Sequence, residues 1–284
     1  MRALFRLFRV LPALAATGCT GADLVNALAP DVGFRRIENV SYGDAARQRL
    51  DLYIPASAAR PAPVVVFFYG GNWQSGDKET YRFVGAALAV RGYAVVVPDY
   101  RLYPDVRYPG FIEDGAAAVR WTLAHVAAYG GDPARVSLMG HSAGAYIAMM
   151  LALDPEWLGA ARARVRHVVG LAGPYDFLPL TDPALETIFA TAPDPAATQP
   201  ITYADASAPP ALLATGRLDR TVLAANTTRL AARLRAAGAP VETEYYALLD
   251  HITLIGALGE PLAMVTPVLD DVTRFLARAP PDMH

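Results

Sequence analysis

Residues 136–144 read Val136-Ser137-Leu138-Met139-Gly140-His141-Ser142-Ala143-Gly144, and an apolar stretch rich in alanine and leucine runs on to Leu153. A short apolar run, then G-x-S-x-G, then a helical pattern describes a strand, a very tight turn and a helix, with a serine on the turn. The spacing demands glycine on steric grounds, because side chains at 140 or 144 would collide with backbone around the strained serine. The helix opening at Ala143 points its free N–H groups toward that serine, where an anion would form. Ser142 is therefore the candidate nucleophile and the Ala143 amide a candidate oxyanion donor. His141, at the variable position beside the serine, reads as a packing or pocket residue.

Outward from that turn, the chain alternates strands and helices. Arg35 to Tyr42 and Gln48 to Ile54 alternate polar and apolar residues around Gly43-Asp44, the pattern of a hairpin. Val64–Tyr69 is a continuous apolar run, as expected of a strand covered on both faces, and 94–97, 136–139, 167–171 and 211–214 repeat it. Residues 241–246 form a further strand nearer an edge, with Glu242 and Glu244 alternating. Helical patterns cover 79–91, 111–129, 143–153, 223–237 and 261–277. This alternation predicts an α/β fold, a doubly wound and mostly parallel sheet with helices on both faces. Residues 173–210, rich in Pro, Asp and Ala, read as a small insertion over the site, with one helical patch near 184–190.

The serine's partners follow in the order Asp, His. Asp219 comes just after the strand at 211–214, and His251 a few residues after the strand at 241–246. All three thus fall at the carboxyl ends of strands, where chemistry collects in such sheets. A hydroxyl is a weak nucleophile, so His251 must take its proton and Asp219 must hold the imidazole tautomer. Of the five histidines, His125 lies in a helix, His167 begins a strand and His284 is terminal, which leaves His251 as the base. Asp250 reads as a loop-capping group. The turn Tyr69-Gly70-Gly71-Asn72-Trp73 follows the strand at 64–68; its glycines let backbone amides approach a ligand closely, so Gly71 and Asn72 join Ala143 as oxyanion donors. Trp73, His141, Phe177 and Ile252 flank these motifs and are the candidate pocket residues.

These residues resemble the α/β-hydrolase fold, and within it the carboxylesterase group related to hormone-sensitive-lipase-type and kynurenine-formamidase-type esterases. The resemblance runs from about residue 34 to 278. It rests on Gly70-Gly71-Asn72-Trp73 with Gly76-Asp77-Lys78, and on Asp99-Tyr100-Arg101-Leu102 with Pro104 and Tyr108-Pro109. Glu113-Asp114 leading to Arg120-Trp121, and Gly131-Asp132-Pro133-Ala134-Arg135 before the Gly140–Gly144 turn, complete it. It implies hydrolysis of small carboxylic esters through an acyl-serine, with no metal and no organic cofactor. One departure is Tyr69, which stands where the family has a turn-shaping histidine. An arylformamidase-type amidase is the nearest alternative, because the Gly-Gly-Asn-Trp turn resembles that group too. A non-catalytic binding scaffold would need a damaged triad, and all three members are present.

Composition narrows the partners. The 284 residues are 54% hydrophobic and 18% charged, with 25 Lys+Arg against 27 Asp+Glu. A net charge of −2 gives no footprint for nucleic acid. One cysteine, Cys19, rules out an internal disulfide or a thiolate cluster. Arg2, Arg6 and Arg9, then the apolar run 10–16, then Thr17-Gly18 form a three-part secretory pattern over residues 1–18. Small residues before Cys19 resemble a bacterial lipobox, with Ala16 where leucine is usual. The expectation is an exported, periplasmic or membrane-anchored protein lipidated at Cys19, with a tether over 19–33 and one hydrolase domain over 34–284. A plain signal peptide and a cytoplasmic helix are the alternatives. Nothing in the sequence sets an oligomeric state.

Overall fold

The computed structural model describes residues 21–56 and 61–279, so Cys19, the leader and His284 lie outside the described residues. Helix α1 (Gly21–Leu28) precedes a hairpin of β1 (Phe34–Ser41) and β2 (Arg49–Pro55). There follow β3 (Ala62–Phe68), α2 (Arg82–Val90), β4 (Ala94–Pro98), α3 (Gly110–His125), β5 (Gly131–His141) and α4 (Ala143–Leu153). The second half carries β6 (Val165–Leu171), α5 (Pro183–Phe189), β7 (Ala211–Gly216), α6 (Ala225–Ala236), β8 (Val241–Tyr246), α7 (His251–Gly256) and α8 (Val268–Leu276).

The strands form one sheet in the order β1-β2-β4-β3-β5-β6-β7-β8. β2 is antiparallel to both its neighbours, and every pair from β4 to β8 is parallel. The fold is therefore the α/β-hydrolase sheet. β3 and β4 are buried almost throughout because helices cover both faces, which is why their sequences are unbroken apolar runs. α4 is buried along its whole length, as a helix that is apolar on every side must be. β8 is an edge strand with all six residues half-buried, in keeping with its alternating glutamates.

Several boundaries differ from the sequence expectation. The pattern at 261–277 is split: a 3-10 turn covers Leu262–Met264, and α8 begins only after Pro267. Proline has no N–H to give and forces the residue before it out of helical geometry, so the apolar period runs on while the helix cannot. The pattern at 111–129 ends as an α-helix at His125 and tightens into a 3-10 turn over Val126–Tyr129, capped by left-handed Gly130. α2 starts late because Thr80 is held by Asp77, whose Oδ1 accepts from both the Thr80 amide and its hydroxyl at 2.7 Å. Among the described residues no helix is long and apolar enough to cross a membrane.

Candidate active site

Ser142 sits between β5 and α4 with φ 54° and ψ −124°, a conformation an L-residue adopts only under constraint. The constraint is visible on both sides. The Ser142 amide donates to the Leu171 carbonyl of β6 at 2.9 Å, and its carbonyl accepts from the Tyr146 amide. A Cβ on Gly140 would run into the Gly144 carbonyl, and one on Gly144 into the Phe68 carbonyl. The elbow thus holds Ser142 at positive φ between two glycines, at positions that only a bare backbone could occupy.

Two loops deliver the partners. Asp219 leaves the end of β7, and His251 is the first residue of α7. The loops are stitched together: the Leu218 amide donates to the Leu249 carbonyl at 3.0 Å and the Arg217 amide to the Tyr246 carbonyl at 2.9 Å. Gly216 passes so close to the Leu249 carbonyl that a side chain there would collide with it. Asp250 caps α7 in a capping box, accepting from the Ile252 and Thr253 amides while Thr253 Oγ1 accepts from the Asp250 amide. That box sets the direction in which the neighbouring His251 ring leaves the chain.

The three side chains meet in line. Ser142 Oγ lies 2.9 Å from His251 Nε2, and His251 Nδ1 lies 2.7 Å from Asp219 Oδ2. Asp219 Oδ1 accepts from the amides of Thr221 at 2.9 Å and Val222 at 2.8 Å. Burial pushes the Asp219 carboxyl up, but the His251 hydrogen bond and those two amides outweigh it and hold the group below the usual carboxylate range. An ionised Asp219 can only accept, so His251 Nδ1 carries the proton and Nε2 is left free to take one. The arrangement is that of a nucleophile, a base and an orienting carboxylate.

His141 sits against this relay as a structural neighbour. Its ring is 4.8 Å from that of His251, and its Nε2–H donates to the His251 carbonyl at 3.1 Å. Burial, then the nearby His251, pushes its pKa down to about 3, so it is neutral at any working pH.

The loop after β3 faces the serine from the other side. A Cβ on Gly70 would stand 2.9 Å from Ser142 Cβ, so glycine is what lets this backbone come so near. Gly71, Asn72 and Trp73 follow with φ of 135°, 55° and 58°, a run of left-handed residues that turns the chain sharply beside the nucleophile. Gly71, Asn72 and Ala143 all line the cleft with Ser142. The Ala143 amide belongs to the first turn of α4, whose N–H groups have no partner within the helix.

Tyr69 anchors that loop. Its ring is stacked between Tyr81 (5.5 Å) and Tyr100 (4.8 Å). Its hydroxyl accepts from Arg47 Nη2 and donates to Asp99 Oδ1, both at 2.8 Å. Asp99 Oδ1 also takes the Lys78 amide at 2.8 Å, and Lys78 Nζ pairs with buried Asp51 at 3.2 Å. Burial holds the Tyr69 phenol well above its ordinary pKa, so the hydroxyl keeps its proton. The tyrosine thus bridges the loop to the ends of β2 and β4 through polar bonds of its own.

The cleft has a volume of about 680 Å³, and Trp73, His141, Phe177 and Ile252 all line it. Trp73 is almost wholly buried, ringed by Phe111, Tyr146, Phe177 and Phe189, so it forms the floor at its end of the cleft. Ile252 is 67% exposed and stands at the rim. The sequence reading missed Tyr81, Leu185 and Asn226, which also line the cleft. Asn226 is a polar residue turned to the inner face of α6, where its Oδ1 takes the Tyr175 and Asp176 amides at 2.9 Å each and pins the start of the 173–210 segment. A buried asparagine breaking an apolar helix face was the available signal. Among the described residues no group of three or more His, Cys, Asp or Glu side chains is placed to hold a metal ion.

Comparison with known proteins bears on the family and the fold. The BD-FAE family model matches residues 50–234, more than half of the chain. A probable isoprenylcysteine alpha-carbonyl methylesterase of Oryza sativa subsp. japonica is 37% identical over 153 residues, 51% of this chain and 37% of that protein. Carboxylesterase NlhH of Mycobacterium tuberculosis is 40% identical over 120 residues, 41% of this chain and 38% of that protein. The chain spans about a third of the length of these curated relatives. Among solved structures, esterase B from Lactobacillus rhamnosis, inhibited by a tributyrin phosphonate, superposes with a TM-score of 0.77 at 25% identity, covering 96% of this chain and 95% of that one. A truncated carbohydrate esterase from gut microbiota superposes with a TM-score of 0.75 at 20% identity, covering 87% and 97%.

Proposed function

The chain belongs to the BD-FAE family of α/β-hydrolases, and on that premise we propose that it is a serine carboxylesterase acting on esters of short acyl groups. The observation that carries the reading is the Ser142–His251–Asp219 relay, at 2.9 and 2.7 Å, on a strained elbow beside a left-handed glycine turn. In the first half-reaction Ser142 Oγ attacks the ester carbonyl carbon while His251 Nε2 takes its proton. The amides of Gly71, Asn72 and Ala143 hold the oxygen that becomes negative. Collapse breaks the bond to the alcohol, which leaves with the proton from His251, and the acyl group remains on Ser142. Water then gives a proton to His251 as it attacks the acyl-serine; collapse breaks the bond to Ser142 Oγ, which takes that proton back from His251, and the acid leaves. Asp219 keeps the imidazole in the right tautomer throughout.

The preference for short acyl groups is supported by the aromatic floor around Trp73, which closes the inner end of the cleft. A fluorophosphonate probe is expected to label Ser142, and p-nitrophenyl acetate and butyrate to turn over faster than the decanoate and than N-formylkynurenine. An unlabelled Ser142 overturns the serine mechanism, and faster N-formylkynurenine turnover makes the protein an amidase. The export reading belongs to the same proposal, with residues 1–18 removed and Cys19 lipidated. Labelled palmitate should enter the wild type and not Cys19→Ser; no label in the wild type refutes lipidation.

A further inference from the structure

A second hollow, of about 400 Å³, adjoins the cleft between α1, the 80–83 stretch and α7. Leu24, Val25, Phe83, Ile255 and Leu262 wall it, and Tyr81 and Ile252 belong to its wall and to that of the cleft. Three hydroxyls lie on its lining and all are already committed, that of Tyr81 to the Gly70 backbone and the other two to carboxylates. Thr80 Oγ1 donates to Asp77 Oδ1 and Thr253 Oγ1 to Asp250 Oδ1, both at 2.7 Å. The side chains of this wall therefore offer hydrocarbon and leave a polar or charged occupant without partners.

The wall is also built to stay in place. Asn26 on α1 donates to the carbonyls of Glu79 at 3.1 Å and Thr80 at 3.0 Å, and its Oδ1 accepts from the Phe83 amide at 2.9 Å. Arg82 Nη2 returns a bond to the Asn26 carbonyl at 2.7 Å. On the far side Val25 packs so closely on Gly259 that a Cβ there would crowd it. Four hydrogen bonds thus fix a helix that itself carries Leu24, 42% exposed, opposite the exposed Ile252 of α7.

Resting on the serine-esterase reading above, we infer that this hollow receives the hydrocarbon chain of the leaving alcohol. The substrate class is then an ester joining a short acyl group to a long apolar alcohol. Direction decides which end of the ester lies there. His251 Nε2 must reach the oxygen of the departing alcohol to return its proton, so the alcohol lies on the His251 side of the scissile bond. Ile252 is the next residue, and it stands where the cleft gives way to the hollow. A chain carried on that oxygen passes Ile252 and Tyr81 and enters hydrocarbon surroundings. The acyl group is left the part of the cleft bounded by Trp73, Phe177 and Leu185.

The test compares two ester series on the full chain: acetates of ethanol, butanol, hexanol and octanol, and methyl esters of acetic to octanoic acid. Burial of one methylene is worth about threefold to fourfold in affinity, so kcat/KM should climb at least about tenfold from ethyl to octyl acetate and fall along the acyl series. Two variants block the hollow, Ala22→Trp by filling it and Leu24→Asp by charging it. Both should remove most of the octyl preference through a higher KM, with ethyl acetate turnover unchanged. A flat alcohol series, as when residues before Gly21 or a second copy fill the hollow, overturns the inference while the esterase reading stands. So does a preference that follows the acyl chain, or an octyl preference that survives in both variants. Turnover of no ester in either series overturns the inference and the esterase reading together.

Discussion

Two serine–histidine pairs lie on or just after β5, and only one of them has a carboxylate behind it. After the carboxyl end of β5, Ser142 Oγ is 2.9 Å from His251 Nε2; within the strand, Ser137 Oγ is 3.3 Å from His167 Nδ1, beside a cavity of about 440 Å³. Both histidines are buried, and both cavities are large enough for a small ligand. The difference lies in what stands behind each pair. Ser137 occupies an ordinary strand position in register with Val65, whereas Ser142 is held at positive φ on a turn. His251 has Asp219 on its far nitrogen; His167 has the ring of Phe275 5.2 Å away and the charge of Arg166 beside it. Burial first, then that arginine, pushes His167 down to about 4, where it is a poor base. Proximity of hydroxyl and imidazole occurs at both places, and the turn and the carboxylate are what set the Ser142–His251 pair apart.

The contrast breaks most plainly by deleting each hydroxyl in turn. Ser142→Ala should cost on the order of a million-fold in kcat, the scale of losing a triad nucleophile, while Ser137→Ala leaves p-nitrophenyl acetate turnover within about twofold, as expected away from such a site. Equal losses in the two variants would erase the distinction.

Removing the charge behind His251 should do the next most damage. Asp219→Asn keeps the shape but permits the wrong tautomer, and kcat should fall by roughly ten-thousandfold. Because Asp219 also holds the Thr221 and Val222 amides, circular dichroism and a thermal scan must accompany the kinetics. A variant that is folded and fully active refutes the relay.

The smallest effect concerns acid. His141 near the catalytic edge and His167 at the opposite one are both held neutral, at about 3 and about 4. Each folded pKa lies below the ordinary value of about 6.5. The unfolded chain therefore binds more protons in between, and stability falls as pH drops from about 6.5 toward those values. His141 contributes at most about 1.4 kcal/mol for each pH unit in that window, and His167, whose window closes about one pH unit sooner, contributes less in all. Urea midpoints measured from pH 7 to pH 4 should flatten more in His141→Gln than in His167→Gln. A wild-type midpoint that is level across this range overturns the sign.

Much of this was legible in the chain itself. The elbow could be read because its glycines, apolar strand and apolar helix are contiguous, and the strands because parallel neighbours require unbroken hydrophobic runs. His251 came from elimination among histidines, which works only because its place at a strand end is a property of local order. Residues that meet the cleft from afar were not legible. Tyr81 reaches it by stacking on Tyr69, Leu185 through the packing of α5, and Asn226 by holding a segment about fifty residues earlier in the chain. Local sequence carries no record of such encounters. The broken helix at 261–277 is a different lapse, since Pro267 was in plain view and the apolar period masked it.

The stitch between the loops after β7 and β8 bears on how this scaffold can change. With Leu218 bonded to Leu249 and Gly216 pressed on the same carbonyl, the acid and the base share one ruler. A residue inserted into either loop slides that loop past the other and throws both groups off the serine. The segment at 173–210 has no such counterpart in the relay and can vary in length while the relay keeps its spacing. New substrates are therefore to be sought by remodelling that segment, and the two short loops are to be left at their present length.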